Sequence, residues 1–149
     1  MTTDATTDAT TDATPRLRDL GPCFEGAVPS IIATAAADGT PNVTHLSKVH
    51  FVDDDHVALS DQFFSKTNRN LCENPYASTI VLDPTTYYEY RLLLRYERSE
   101  RRGKLFDRVE RDIEMIAALT GMSGVFKLRG VDIYRVLELE QVPMLDSGS

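Results

Sequence analysis

Hydrophobic and polar positions alternate most strictly over residues 87–98, where Tyr88, Tyr90, Leu92, Leu94 and Tyr96 share one face of a strand. Glu89, Arg91, Leu93, Arg95 and Glu97 take the other face, so the first face is predicted to meet a core. Two β-branched runs, residues 28–37 and 43–52, flank Asp38-Gly39-Thr40-Pro41, and Asp-Gly there signals a hairpin turn. Asp53-Asp54-Asp55 marks a second turn before the short apolar run Val57-Ala58-Leu59. From residue 65 to 73 the period becomes helical, with Phe64, Asn68, Leu71 and Cys72 on one side, and Asn74-Pro75 ends it. Residues 78–82 read as a strand broken at Asp83-Pro84. The longest predicted helix covers residues 104–120, where Phe106, Val109, Ile113, Ile116 and Ala117 recur at helical steps and Gly121 supplies a stop. Residues 125–128 and 131–139 are predicted strands on either side of Gly130. Six or seven strands with two or three helices, too clustered for βαβ alternation, predict a mainly β fold: an antiparallel barrel with peripheral helices.

The only repeat is Thr-Thr-Asp-Ala, written three times over residues 2–13 with no large apolar residue to bury. Residues 1–14 are therefore expected to be a disordered tail and residues 15–149 one folded domain, as the total of 149 also suggests. The formal charge is −7, of which three charges lie in the tail. Such a chain lacks the basic footprint that nucleic acid or an anionic membrane would need. Its longest apolar stretch, residues 31–37, is far short of the ~20 residues of a membrane helix. A soluble, cytoplasmic protein is expected. Cys23 and Cys72 stand far apart with no paired-Cys motif, so reduced thiols are expected rather than a disulfide or zinc framework.

Candidate chemistry is concentrated in residues 59–70, Leu-Ser-Asp-Gln-Phe-Phe-Ser-Lys-Thr-Asn-Arg-Asn. Hydroxyls, Lys66 and Arg69 fall at the start of a helix, where free amides and the macrodipole favour an anion such as phosphate. A Ser N-cap with exposed basic side chains is the plainer alternative. His45, His50 and His56 lack a ligand spacing, since His45 and His50 are an odd number of residues apart on one predicted strand and His56 follows an acidic turn. No metal is expected. Residues 91–111 carry eight basic against four acidic side chains, which reads as a solvated face or a source of ion pairs between subunits. There is no Gly-Xaa-Ser-Xaa-Gly elbow and no Cys with a placed His base, so covalent hydrolysis has no anchor.

The hairpin around Asp38-Gly39-Thr40-Pro41-Asn42-Val43, the Ser65-Lys66-Thr67 run followed by Leu71 and Asn74-Pro75, and the closing Asp132-Ile133-Tyr134-Arg135-Val136 together resemble the FMN-binding split-barrel family of pyridoxamine 5′-phosphate oxidase. The resemblance runs from about residue 26 to 143. It implies a split β-barrel and a homodimer with FMN in a cleft between subunits. It also implies flavin-dependent redox chemistry on a small-molecule substrate, without a side-chain nucleophile. Ser65, Lys66 and Thr67 would meet the FMN phosphate, with Arg69 as a second cation. His45, Leu46 and Ser47 would line the isoalloxazine ring, and Ser60 and Asp61 the ribityl chain. Glu89 stands where many relatives have Gln; its carboxylate either pairs with Arg91 or Lys66 or lies away from the cofactor. Relatives in this family also serve as sensory modules, and deazaflavin or haem can occupy the same cleft. Oxidation of pyridoxamine 5′-phosphate itself is not expected. The chain has no Trp, and after Arg135 it carries Glu138 and Glu140 but no further basic residue to grip a substrate phosphate.

Overall fold

The computed structural model describes residues 15–61, 65–121, 124 and 127–143, so the repeat of residues 2–13 lies outside the described residues. Seven strands are present among them: β1 (Ser30–Ala35), β2 (Pro41–Leu46), β3 (His50–Asp53), β4 (His56–Asp61), β5 (Tyr76–Leu82), β6 (Glu89–Glu100) and β7 (Gly130–Gln141). Two helices, α1 (Ser65–Glu73) and α2 (Lys104–Leu119), and an N-terminal 3-10 segment, Leu17–Phe24, complete the fold. All strand pairs are antiparallel, in the order β2-β1-β5-β6-β7-β4-β3.

That order and one short link dictate the shape. In a flat sheet, the outer strands β2 and β3 would lie six spacings apart, about 29 Å. Only Ser47, Lys48 and Val49 separate Leu46 from His50, a link that reaches at most about 14 Å. The sheet must curl until its two edges approach, which makes a barrel with a split between β2 and β3. Two register shifts in the β6–β7 ladder, at Leu93/Leu94 and Tyr96/Arg98, supply bends of the kind that let a sheet curl.

The barrel interior holds Ile32, Leu46, Val57, Leu59, Val81, Leu92, Leu94 and Tyr134. Leu17, Leu20, Cys23 and Phe24 of the 3-10 segment join this core. The first three of these recur every three residues, the period of a 3-10 turn, and bury one stripe. On the outside of β4 and β7, Ala58, Val131 and Ile133 pack with Val109 and Ile113 of α2. Strand β4 and the start of β7, residues 130–134, are thus covered on both faces, and alternation gives way there to continuous burial.

Three local expectations change. Residues 43–52 are not one strand but the end of β2, a bend at Ser47–Val49 and the start of β3. His45 and His50 therefore lie on different strands, His45 exposed and His50 buried. Lys127 and Leu128 precede β7 without strand structure, while residues 125–126 are outside the described residues. Tyr88 lies just before β6 and is 40% exposed, so the core face of that strand begins at Tyr90.

Candidate functional site

The split organises the residues of interest. β4 ends at Asp61, and α1 begins at Ser65, so Ser65, Lys66 and Thr67 occupy the first turn of that helix. This turn contains no acidic residue. Its free backbone amides and the helix dipole favour an anion there. Of the Ser65, Lys66 and Thr67 side chains nothing is described; Arg69, one turn on, is exposed. The helix is fastened at its other end. Asn70, 4% exposed, donates through its side-chain amide to the Thr34 hydroxyl at 3.2 Å, and Glu73 Oε2 accepts from the Ala37 amide at 3.2 Å.

Between α1 and the barrel lies a recess of about 190 Å³, lined by Asp61, Leu71, Cys72, Tyr96, Ser99, Arg101 and Asp132. Register explains its polar floor. Asp132 pairs with Leu59 on β4 and Ser99 on β6, which turns its side chain toward the barrel interior. Burial pushes the Asp132 carboxyl up to about 6, with the Asp61 charge acting in the same direction. A hydrogen bond from Ser99 and the charge of Arg101 oppose this. Asp61 is held by Arg129 Nη2 at 3.2 Å. Tyr96 packs edge-on against Tyr134, with ring centroids 5.6 Å apart. The recess therefore offers hydroxyls, an aromatic edge, a guanidinium and a carboxyl that gains and loses its proton near neutrality.

The other expected site residues are distributed around it. Leu46 is a core residue at the end of β2, and Ser47 is exposed in the bend that follows. β3 runs antiparallel to β4 with His50 opposite Ala58, so the Ser47–Val49 bend leaves the sheet toward the Ser60–Asp61 end of β4. His45 is exposed on the outer face, beside Ile31. Ser60 is buried and shares the face of Val131, the side covered by α2, whereas Asp61 faces the recess. Glu89 is not brought to this place within the chain. It starts β6 opposite Leu82, whereas Tyr96 and Ser99, which line the recess, come seven and ten residues later, about 23–33 Å along a straight strand. Arg91 pairs with Glu140 at 2.6 Å rather than with Glu89.

Tyr96 was read from the sequence as a core-face residue and Asp132 as part of the closing strand motif, neither as a site residue. The available signal was Asp132 itself, a carboxylate at a core-facing position between Val131 and Ile133. The three histidines are placed separately. His56 touches Asp53 at 2.8 Å and Glu97 at 3.1 Å. His50 lies 3.6 Å from Asp112, but burial, reinforced by the charge of Lys48, pulls its imidazole down to about 4. Burial and the cation outweigh the carboxylate.

The pyridoxamine 5′-phosphate oxidase family model matches residues 22–139 of the 149. No curated protein matches the chain. Among solved structures, an FMN-binding protein from Syntrophomonas wolfei subsp. wolfei superposes with a TM-score of 0.70 at 17% identity, covering 87% of this chain and 90% of that one. An F420 reductase superposes at 0.58 with 16% identity, covering 79% and 93%. The haem storage protein HutZ from Vibrio cholerae superposes at 0.54 with 19% identity, covering 85% and 94%. At these identities the structures show a shared fold alone. The family model spans most of the folded body and its strands form the same split barrel: the chain belongs to the pyridoxamine 5′-phosphate oxidase family.

Proposed function

We propose that the protein binds FMN at the split and acts as a flavin-dependent oxidoreductase on a small molecule. The observation that carries this reading is α1, which starts four residues after β4 with a basic, hydroxyl-bearing first turn and is hydrogen-bonded to β1 by Asn70. The donor set fits a flavin mononucleotide: helix-turn amides, Lys66 and Arg69 suit a phosphate dianion. Asp61, Ser99 and Asp132 suit the hydroxyls of a ribityl chain. The FMN-binding structural neighbour supports the same choice.

When bound, FMN supplies the hydride chemistry. The chain's own residues bind and orient. Lys66 and the first-turn amides of α1 hold the phosphate, and Arg101 and Arg129 offset the two carboxylates nearby. Asp132 exchanges a proton near pH 6 at the floor of the recess. The absence of Trp, and of any basic side chain in residues 136–149, favours a substrate other than pyridoxamine 5′-phosphate. Binding is tested by titrating the purified chain with FMN, and catalysis by turnover with a nicotinamide donor and an electron acceptor. Tight binding without turnover would make the protein a flavin-binding or sensory module instead.

A further inference from the structure

A cavity of about 500 Å³ lies outside the barrel, between β3 and α2, lined by Val52, Lys104, Leu105, Asp107, Arg108 and Arg111. Its cations come from one stripe of the helix. Lys104, Arg108 and Arg111 follow each other at steps of four and three residues, the spacing that stacks side chains on one face, and all three are exposed. Val52 and Leu105 are packed against the smaller core beneath α2 and give the cavity an apolar floor.

Six cations elsewhere on this chain of charge −7, Arg16, Arg18, Lys48, Arg91, Arg98 and Arg129, each pair with a carboxylate. Among the described residues, Lys104, Arg108 and Arg111 form no ion pair, although Asp107 stands three residues from Lys104 and four from Arg111. Like charges a turn apart repel each other and weaken a helix. Such a stripe calls for a counter-ion from outside the chain. Arg108 is already placed to receive one: its Nη2 donates to the Phe51 carbonyl at 2.6 Å, which fixes the guanidinium against β3 and leaves its remaining N–H donors for a ligand.

Charge and size select the ligand. Three cations and one carboxylate leave the cavity two positive charges, which matches a phosphomonoester, doubly charged at neutral pH. Guanidinium groups bind phosphate through paired hydrogen bonds, and the volume lies within the ~300–1,000 Å³ that usually encloses an organic ligand. Inorganic phosphate would leave Val52 and Leu105 unused. We propose that the cavity between β3 and α2 binds a small organic phosphomonoester, its phosphate held by Lys104, Arg108 and Arg111 and its apolar body lying on Val52 and Leu105. The cavity shares no residue with the Asp132 recess or with the first turn of α1, so the proposal goes beyond the FMN reading and stands without it.

Phenyl phosphate is the probe, added to the full chain at constant ionic strength and followed by backbone amide shifts in ¹H–¹⁵N NMR spectra. Amides of residues 104–111 should shift saturably with a dissociation constant of about 1 mM or tighter, as for a ligand of this size. Phenol should not shift them, and benzoate, a monoanion on the same ring, should bind at least about tenfold more weakly. Lys104→Gln with Arg111→Gln leaves the bond from Arg108 to Phe51 in place and should weaken phenyl phosphate about ten- to a hundredfold, whereas Arg135→Gln, which removes an exposed cation of β7, should not. No shift at residues 104–111 with about 10 mM probe, equal binding of benzoate, or an unchanged affinity in the double variant overturns the proposal. Shifts confined to residues 65–69 also overturn it, and would assign the phosphate to α1 as the FMN reading requires. Shifts at residues 104–111 in a chain that takes up no FMN keep the cavity and remove the cofactor.

Discussion

The side-chain amide of Asn70 donates to the hydroxyl of Thr34 at 3.2 Å, and this buried bond ties the helix beginning at Ser65 to the first strand of the barrel. Helix α1 is short, nine residues, and too short to be stable alone. Its orientation is fixed by what it touches: Leu71 in the core, Asn70 on Thr34 and Glu73 on the Ala37 amide. An anion-binding first turn depends on that anchoring.

Thr34→Val should therefore cost about 1–3 kcal/mol in chemical denaturation, because it strands a buried amide without its acceptor. Asn70→Leu added to Thr34→Val should recover much of the loss, since neither polar partner then remains. A single variant as stable as wild type would show that the bond does not hold the helix.

Lys66→Ala should weaken FMN binding by about ten- to a hundredfold, the loss of one charge-assisted contact to phosphate. Calorimetric titration of the folded variant reads this directly. Unchanged affinity would remove Lys66 from the site.

Asp132 and His50 make opposite contributions to stability in the same pH range. The folded-state pKa of Asp132 is raised to about 6, so its stabilisation is complete below pH 3.8 and is lost as pH rises toward 6. For His50 the folded-state value falls to about 4, so its contribution is complete above pH 6.5 and is lost as pH falls toward 4. Each is worth roughly 3 kcal/mol from shifts of this size, and in the wild type they largely cancel. Between pH 4 and 6, Asp132→Asn should gain stability with rising pH and His50→Gln should lose it. Parallel profiles for the two variants would contradict both assignments.

Much of this was legible in the chain, for identifiable reasons. The alternation of residues 87–98 predicts β6 because one face of that strand meets the core, and Asp38-Gly39 predicts its turn because Gly39 has a φ of +90°. The bend at Ser47–Val49 was not legible, because Val49 and His50 are buried like strand residues while the sheet changes edges there. Leu17, Leu20 and Cys23 carried a period of three, but Pro22 and a kink at Leu20 hide it from a search for ordinary helices. At the site, the Ser65-Lys66-Thr67 turn was visible as a local run. The Asp132 recess was not, because it is assembled from β4, β6, β7 and α1 and exists only once those strands are in register.

Pyridoxamine 5′-phosphate should be a poor substrate, with kcat/KM well below the ~10⁴ M⁻¹s⁻¹ at the low end of ordinary enzymes. Residues 136–149 include Glu138 and Glu140 and no basic side chain, so this stretch offers no cation to grip a substrate phosphate. Steady-state oxidation above that value would show that another part of the chain grips it.

The most direct measurement is the absorption spectrum of the purified protein together with the mass of the chromophore it releases on denaturation. The account predicts the two-banded spectrum of an oxidised flavin and the mass of FMN, with one FMN taken up per chain when the stripped protein is titrated. A released deazaflavin or haem, or a colourless chain that takes up no FMN, would contradict it.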